Sequence, residues 1–389
     1  MKTATLCVQL GTANDPNGAI VPPIYQTATF EQPNATEFGN YDYTRSGNPT
    51  RTLVEEQLAR LENGKYSCAF ASGMAALAAL THSLKPGEEI IAGDDLYGGT
   101  VRLLERVVSS HNVVVRYADT SDIDAVRRLT NPQTRLILIE TPSNPLFRIF
   151  DIRQLSELAH NAGAILAVDN SMLSPIFQKP LNLGADVVIH SATKFLCGHS
   201  DVTAGAVISN NRELYEAVAF QQNAQGAGLS PFESWLLLRG LKTLSLRVER
   251  QNISARRVAE FLREQHAVSR VYYPGLENHE GYSIHRRQAS GNGGVLSFTT
   301  GDSDFSARLV EATRLFRIAV SFGSVGSTIS LPCRMSHASI PPSLRDRLGP
   351  PEDLVRISVG IEDVNDLLDD LGDAFRVSSA TKRRLIAVG

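Results

Sequence analysis

Residues 164–194 read AILAVDNSMLSPIFQKPLNLGADVVIHSATK. Two short apolar runs, AILAV and DVVIH, each stop at residues that do not belong in a core. The first stops at Asp169 and the second at Ser191, Thr193 and Lys194. Runs of this length that are apolar almost throughout suit strands buried on both faces of a parallel sheet. Lys194 follows Asp169 by 25 residues, about one strand–helix–strand crossover, so the two are expected on neighbouring strand ends. A lysine at a strand end is ordinarily a lysine in water. An aspartate closing an apolar run is harder to dismiss, because a buried carboxylate costs several kcal/mol unless a cation or donors meet it.

The same pattern repeats outward along the chain. SCAFA, EEIIAG, NVVVRYA, RLILIE and TAGAVIS are further apolar runs, and helical stretches such as GMAALAALTHSL and DIRQLSELAHNAG lie between most of the runs. Strand and helix in alternation predict an α/β fold with a mostly parallel, doubly wound sheet. TRTLVEEQLARLEN is helical by spacing, with Leu53, Val54, Gln57, Leu58 and Leu61 recurring at three and four. Residues 230–265 predict one long helical segment, opened by a capping box of Ser230, Pro231 and Glu233. Beyond it, strand-like RVYYPG, GGVLSF, IAVSFG and LVRISVG mix with helical DFSARLVEATRLF and VNDLLDDLGDAF, as in a smaller α+β domain. The first fifty residues, rich in Pro, Asn, Thr and Tyr, read as an extended arm. The expected division is therefore an arm over 1–50, a large domain over 51–250 and a small domain over 251–389.

Composition removes several function classes. The 38 basic and 41 acidic residues of the 389 give a net charge of −3, so nothing points to nucleic acid or to a membrane surface. No apolar run approaches the ~20 residues that span a bilayer. The opening MKTATLCVQL lacks the apolar stretch of a signal peptide, and the cysteines at 7, 68, 197 and 333 form neither a zinc spacing nor a C-x-x-C pair. A reduced, cytoplasmic protein is the expectation. The nine histidines show no H-E-x-x-H and no ligand cluster, so no metal is expected.

In a parallel sheet, ligands collect beyond the carboxyl ends of the strands. After SCAFA come Ser72, Gly73 and Met74 at the mouth of a helix, where backbone N–H groups and the helix dipole favour an anion. After EEIIAG comes Tyr97, followed by two glycines. After RLILIE comes TPSNP, in which Asn144 is first a turn signal and second a hydrogen-bond donor. Each feature alone has an ordinary structural explanation, and both common nucleotide fingerprints are absent. Together the strand-end residues fit a ligand with a phosphate, a basic aromatic nitrogen and an aldehyde. Pyridoxal 5′-phosphate has those groups, and needs a lysine and an acid at its ring nitrogen.

The stretches YDYTRSGNPTR, SGMAA, DDLYGGT, VDNS, HSATKFLCGHSD and VRISVGIEDV resemble the Cys/Met-metabolism group of pyridoxal-phosphate enzymes over nearly the whole chain. PIYQTATF, IAVSFGSV and PCRMSHASIP bring it nearest to the plant-type cystathionine β-lyases within that group. The resemblance implies a fold-type I enzyme in which Lys194 forms the Schiff base and Asp169 pairs with the pyridinium nitrogen. It implies that Tyr97 stacks on the ring, and that Gly73, Met74, Ser191 and Thr193 hold the phosphate. Tyr43 and Arg45 would reach the phosphate of a neighbouring subunit, so self-association, a homotetramer, is expected. Arg356 would grip the substrate carboxylate, with Asn144 and Ser321 assisting. The activity implied is cleavage of the Cβ–S bond of L-cystathionine, with γ-synthase or γ-lyase chemistry as the alternative. The segment GSVGST carries Gly326 where many γ-acting relatives carry Glu and plant-type β-lyases tend to carry Lys, which argues against γ-synthase or γ-lyase activity.

Overall fold

The computed structural model describes residues 1–9, 17–338, 340 and 348–388, with side chains as far as Ala380. Leu10 of the opening stretch, and Ser339 and Pro341 of PCRMSHASIP, lie outside the described residues. All seven apolar runs form strands of one sheet. These are β1 (Tyr66–Phe70), β2 (Glu89–Gly93), β3 (Val114–Ala118), β4 (Thr134–Glu140), β5 (Ile165–Asp169), β6 (Val187–His190) and β7 (Gly205–Ser209), in the order β1-β7-β6-β5-β4-β2-β3. Only β7 runs antiparallel, to β1 and to β6. Neighbouring side chains leave the sheet on opposite faces. Leu136 and Leu138 of β4 join one apolar layer, with the helix Gly73–Thr81, while Ile137 and Ile139 join another, with the helix Ile152–Asn161. Both faces of the central strands are therefore covered, which is why they read as nearly continuous apolar runs, whereas the edge strand β3 is half exposed.

The helix predicted from residue 50 spans Pro49–Glu62. Asn48 caps it by accepting the Thr50 N–H at 3.0 Å, and Pro49 takes the first turn, where a missing N–H does no harm. Before it the chain departs from a wholly extended arm. Thr3–Val8 is a short helix that buries Cys7 against the large core, and residues 17–47 then run without helix or strand apart from the bridge between Thr29 and Tyr43.

The predicted long helical segment is two helices, Pro231–Leu241 and Leu244–Arg263. The capping box is present: Ser230 accepts the Glu233 N–H at 3.4 Å, and its hydroxyl meets the Glu233 carboxylate. The break at Lys242 and Thr243 follows from Arg247. Its buried guanidinium donates to the Gly240 carbonyl at 2.8 Å, to that of Phe195 at 2.8 Å and to that of Leu196 at 3.3 Å. The carbonyl that the helix gives up at the break is thus satisfied from the side. The second helix runs unbroken through residue 250. Leu244 and Val248 pack in the core of the large sheet, and Ala255, Val258 and Leu262 pack in that of the small one.

The small sheet contains β8 (Arg270–Tyr272), β9 (Val295–Thr299), β10 (Arg317–Ile318), β11 (Thr328–Ser330) and β12 (Val355–Ser358), in the order β10-β11-β12-β9-β8. Two details differ from the sequence reading. The three-residue β11 was not anticipated. IAVSFG is strand only at its start, because Ser321 and Gly323 take φ of 80° and 85° and turn the chain toward the large domain. A Cβ at residue 323 would lie 2.7 Å from the backbone nitrogen of Phe195, so the turn touches the chain next to Lys194. Among the described residues, no helix is long and apolar enough to cross a membrane.

Candidate active site

A cavity of about 470 Å³ opens beyond the carboxyl ends of the parallel strands, where β12 and the turn after β10 close over them. Every site residue selected from the sequence lines it except Tyr43 and Arg45. Those two are exposed on the N-terminal segment, with the Arg45 guanidinium 5.5 Å from the Tyr43 ring centroid.

One end of the cavity is built to meet an anion. Ser72 caps the helix Gly73–Thr81 by accepting the Ala75 N–H at 3.0 Å, leaving the amides of the first turn directed at the opening. Position 73 must be glycine, since a Cβ there would lie 2.9 Å from the Ser191 Cβ. Ser191 and Thr193 lie beside this helix mouth. The Thr193 hydroxyl is already engaged within the fold, accepting the Ala204 N–H at 2.9 Å and donating to the Ala204 carbonyl at 3.1 Å.

The floor holds two acids, Glu140 buried and Asp169 partly buried. Asp169 accepts the Ser171 N–H at 2.9 Å, and its carboxyl titrates above the usual range because burial outweighs the Ser171 hydrogen bonds and the distant charges of His190 and Lys194. Glu140 is its register partner on β4. Burial raises the Glu140 carboxyl well above the usual range, and the Asp169 charge adds to the shift. Glu140 also accepts the Tyr97 N–H at 3.2 Å, which fixes the turn that carries the Tyr97 ring. That ring is 39% exposed at the cavity wall and meets the His337 ring edge-on, at 6.2 Å and 88°.

Lys194 and Arg356 face each other across Ser321. The Lys194 amine donates to the Ser321 hydroxyl at 2.6 Å, and an Arg356 Nη donates to the Ser321 carbonyl at 3.0 Å. The other Arg356 Nη donates to Asn144 Oδ1 at 2.8 Å. Both cations lie over the Phe322 ring, Lys194 at 5.0 Å and Arg356 at 5.5 Å. Burial, with the nearby Arg356 charge, pushes the Lys194 amine down to about 8, while Asp169 and Glu140 pull the other way. An amine in that range is a usable nucleophile and base near neutral pH. Burial likewise lowers Arg356 to about 10, so it stays charged.

Sequence reasoning missed Glu140, Phe322 and His337. Glu140 carried a signal, since it closes the apolar run RLILIE as Asp169 closes AILAVD. His337 carried none. It is a lone histidine in an irregular stretch, placed by its 3.1 Å bond to the Asn144 carbonyl and its 2.9 Å bond to Ser336, and burial lowers its imidazole to about 4.

These residues fit pyridoxal 5′-phosphate. The helix mouth suits its phosphate, the ionisable Asp169, with only neutral donors in contact, suits its ring nitrogen, and the Lys194 amine suits its aldehyde. The comparisons agree. The family model described as Cys/Met metabolism PLP-dependent enzyme matches residues 4–376. The chain is 54% identical over 373 residues to the chloroplastic cystathionine β-lyase of Arabidopsis thaliana, covering 96% of this chain and 80% of that one. It is 45% identical to the cystathionine γ-lyase of Bacillus subtilis, covering 96% and 99%. The solved cystathionine γ-synthase of Xanthomonas oryzae pv. oryzae in complex with cystathionine superposes with a TM-score of 0.95 at 39% identity, covering 98% and 99%. The chain belongs to the Cys/Met metabolism PLP-dependent enzyme family.

Proposed function

We propose that this chain is a cystathionine β-lyase, cleaving the Cβ–S bond of L-cystathionine to give homocysteine, pyruvate and ammonia. The observation that carries the reading is the sharing of Ser321 by the Lys194 amine, at 2.6 Å, and the Arg356 guanidinium, at 3.0 Å. A substrate α-carboxylate held by the Arg356 fork brings its Cα to the amine that must take the Cα proton. Choice of the β reaction rests on the relatives named cystathionine β-lyase, among them the Arabidopsis protein and a Neurospora crassa protein at 50% identity.

Each residue has a stated task in this reading. The cofactor supplies an electron sink when bound. Lys194 would hold it covalently; once the substrate amine displaces it, the freed Lys194 amine would take the proton from the substrate Cα and return a proton later in the reaction. Asp169 in its ionised form holds the proton on the ring nitrogen. The first-turn amides at Gly73 and Met74, with Ser191, would hold the phosphate, and Thr193 would join them by turning its hydroxyl proton away from the Ala204 carbonyl. Tyr97 covers the ring face and takes a proton from the incoming amine, while Asn144 orients the Arg356 fork. Phe322 excludes water beneath both cations.

Tyr43 and Arg45 complete the phosphate site of a second copy in this reading, which accounts for two large exposed side chains on a segment of little internal structure. It assigns a homotetramer, an arm over 1–50, a large domain over 51–250 and a small domain over 251–389. A cytoplasmic setting is supported by four free cysteines.

A γ-lyase or γ-synthase shares all of these cofactor contacts. Position 326 speaks against it, being glycine with open space where a Cβ would stand. The deciding experiment is a product assay on L-cystathionine. Pyruvate with homocysteine is the expected result, and 2-oxobutyrate with cysteine would overturn the assignment. Sedimentation of the purified protein tests the tetramer.

A further inference from the structure

Beneath the cofactor floor lies a second layer of buried polar groups that the reaction does not use. Glu62, the last residue of the helix Pro49–Glu62, is 1% exposed. A single carboxylate oxygen, Oε1, accepts from His190 Nε2 at 2.6 Å and from Asn170 Nδ2 at 2.8 Å. Asn170 follows Asp169, and His190 precedes Ser191. The network extends to the third strand end through the buried Gln178. Its amide donates to the Thr141 carbonyl at 2.8 Å and to Asn170 Oδ1 at 3.1 Å, and Thr141 follows Glu140. One helix terminus thus ties together the ends of β4, β5 and β6, each one residue away from a group facing the cavity.

A buried carboxylate needs a reason, because burial is unfavourable for a charged group. We propose that Glu62 is a positioning residue, bridging the ends of β5 and β6 so that Asp169 and Ser191 stand at the spacing the cofactor requires. The reach of the side chain, not its charge, is what the bridge needs. The second oxygen, Oε2, has no hydrogen-bond partner among the described residues, so an amide there breaks no bond. The bonds of Glu62 to His190 and Asn170 make a buried supporting layer, and loosening such a layer weakens the site above it.

The inference rests on the reading of this cavity as the cofactor site. The test compares Glu62→Gln, which keeps the reach, with Glu62→Asp, which is one methylene short of bridging both donors. Asn170→Ala, which cuts the β5 arm, is a second route should Glu62→Asp not fold. Cofactor-free proteins are titrated with pyridoxal 5′-phosphate, and the visible circular dichroism of the bound cofactor is recorded. Glu62→Asp and Asn170→Ala are expected to bind about ten-fold more weakly, with a reduced dichroic band, and Glu62→Gln to stay within about three-fold of the parent. A folded Glu62→Asp or Asn170→Ala protein with parental affinity and dichroism overturns the inference. So does a Glu62→Gln protein as impaired as Glu62→Asp. A parent protein that takes up no cofactor would instead refute the reading of the cavity.

Discussion

Glu140 and Asp169 are register partners at the ends of adjacent parallel strands, Glu140 buried and Asp169 partly so. Burial, with the neighbouring Asp169 charge, raises the Glu140 carboxyl well above the usual range, and burial raises that of Asp169. Glu140→Gln keeps the acceptor for the Tyr97 N–H and is expected to fold with stability within about 1 kcal/mol of the parent. Glu140→Ala leaves that N–H without its partner and is expected to lose about 1–3 kcal/mol. Denaturant titration of the two variants checks both values, and equal losses would show that the Tyr97 contact carries no weight.

Lys194 should titrate well below an ordinary lysine. Its amine is lowered to about 8 by burial and by Arg356, so covalent labelling in the cofactor-free protein should rise through about pH 8. An unfolded chain would label through about pH 10.4. Between these values the unfolded chain binds the extra proton, so this site contributes increasing stability as pH rises from about 8. Mass spectrometry after reductive methylation across pH 7–10 measures the midpoint. Lys194→Ala should abolish pyruvate release and the yellow colour of the bound cofactor together. Retention of both would remove Lys194 from its central place.

Arg356 acts as a fork with its prongs fixed on Asn144 and Ser321. Lysine carries the charge without the planar geometry. Arg356→Lys is therefore expected to raise KM more than it lowers kcat, with a loss of about 2–3 kcal/mol in kcat/KM, within the range of charge-assisted pairs. Steady-state kinetics on L-cystathionine gives the split, and an unchanged KM would place the carboxylate elsewhere.

Arg247 is predicted to govern stability rather than chemistry. Its guanidinium satisfies the carbonyls of Phe195, Leu196 and Gly240, all buried. Arg247→Ala takes this donor from the Phe195 and Leu196 carbonyls, while Gly240 keeps Thr243 as a donor, and is expected to cost about 2–3 kcal/mol. Thermal unfolding measures the change, and a shift of under a few degrees would show that water replaces the clamp.

How far the sequence could be read depended on whether a residue's partners lie nearby along the chain. The strands of the large sheet were legible because burial of the central ones on both faces leaves runs that are mostly apolar; the edge strand β3, half exposed and carrying Arg116, follows the pattern least. Asp169 and Lys194 were legible because a titratable group closing such a run is conspicuous. Glu140 carried the same mark and was overlooked. The helix break at Lys242 was not legible, since it depends on a guanidinium that also binds carbonyls around fifty residues earlier in the chain. Nor was β11, whose three residues are too few for any periodicity.

By itself the sequence determined which side chains stand at strand ends, and so which chemistry the protein carries. Only the tertiary structure decided their mutual geometry. It set the Lys194 amine and the Arg356 fork on one serine, and seated Asp169 beside Glu140 above the Glu62 bridge. The first arises where β12 and the turn after β10 meet the large sheet, and the second where the ends of β4, β5 and β6 lie side by side. Hydrogen bonds between residues more than a hundred positions apart leave no local pattern, because each partner satisfies its own local preferences equally well without the other.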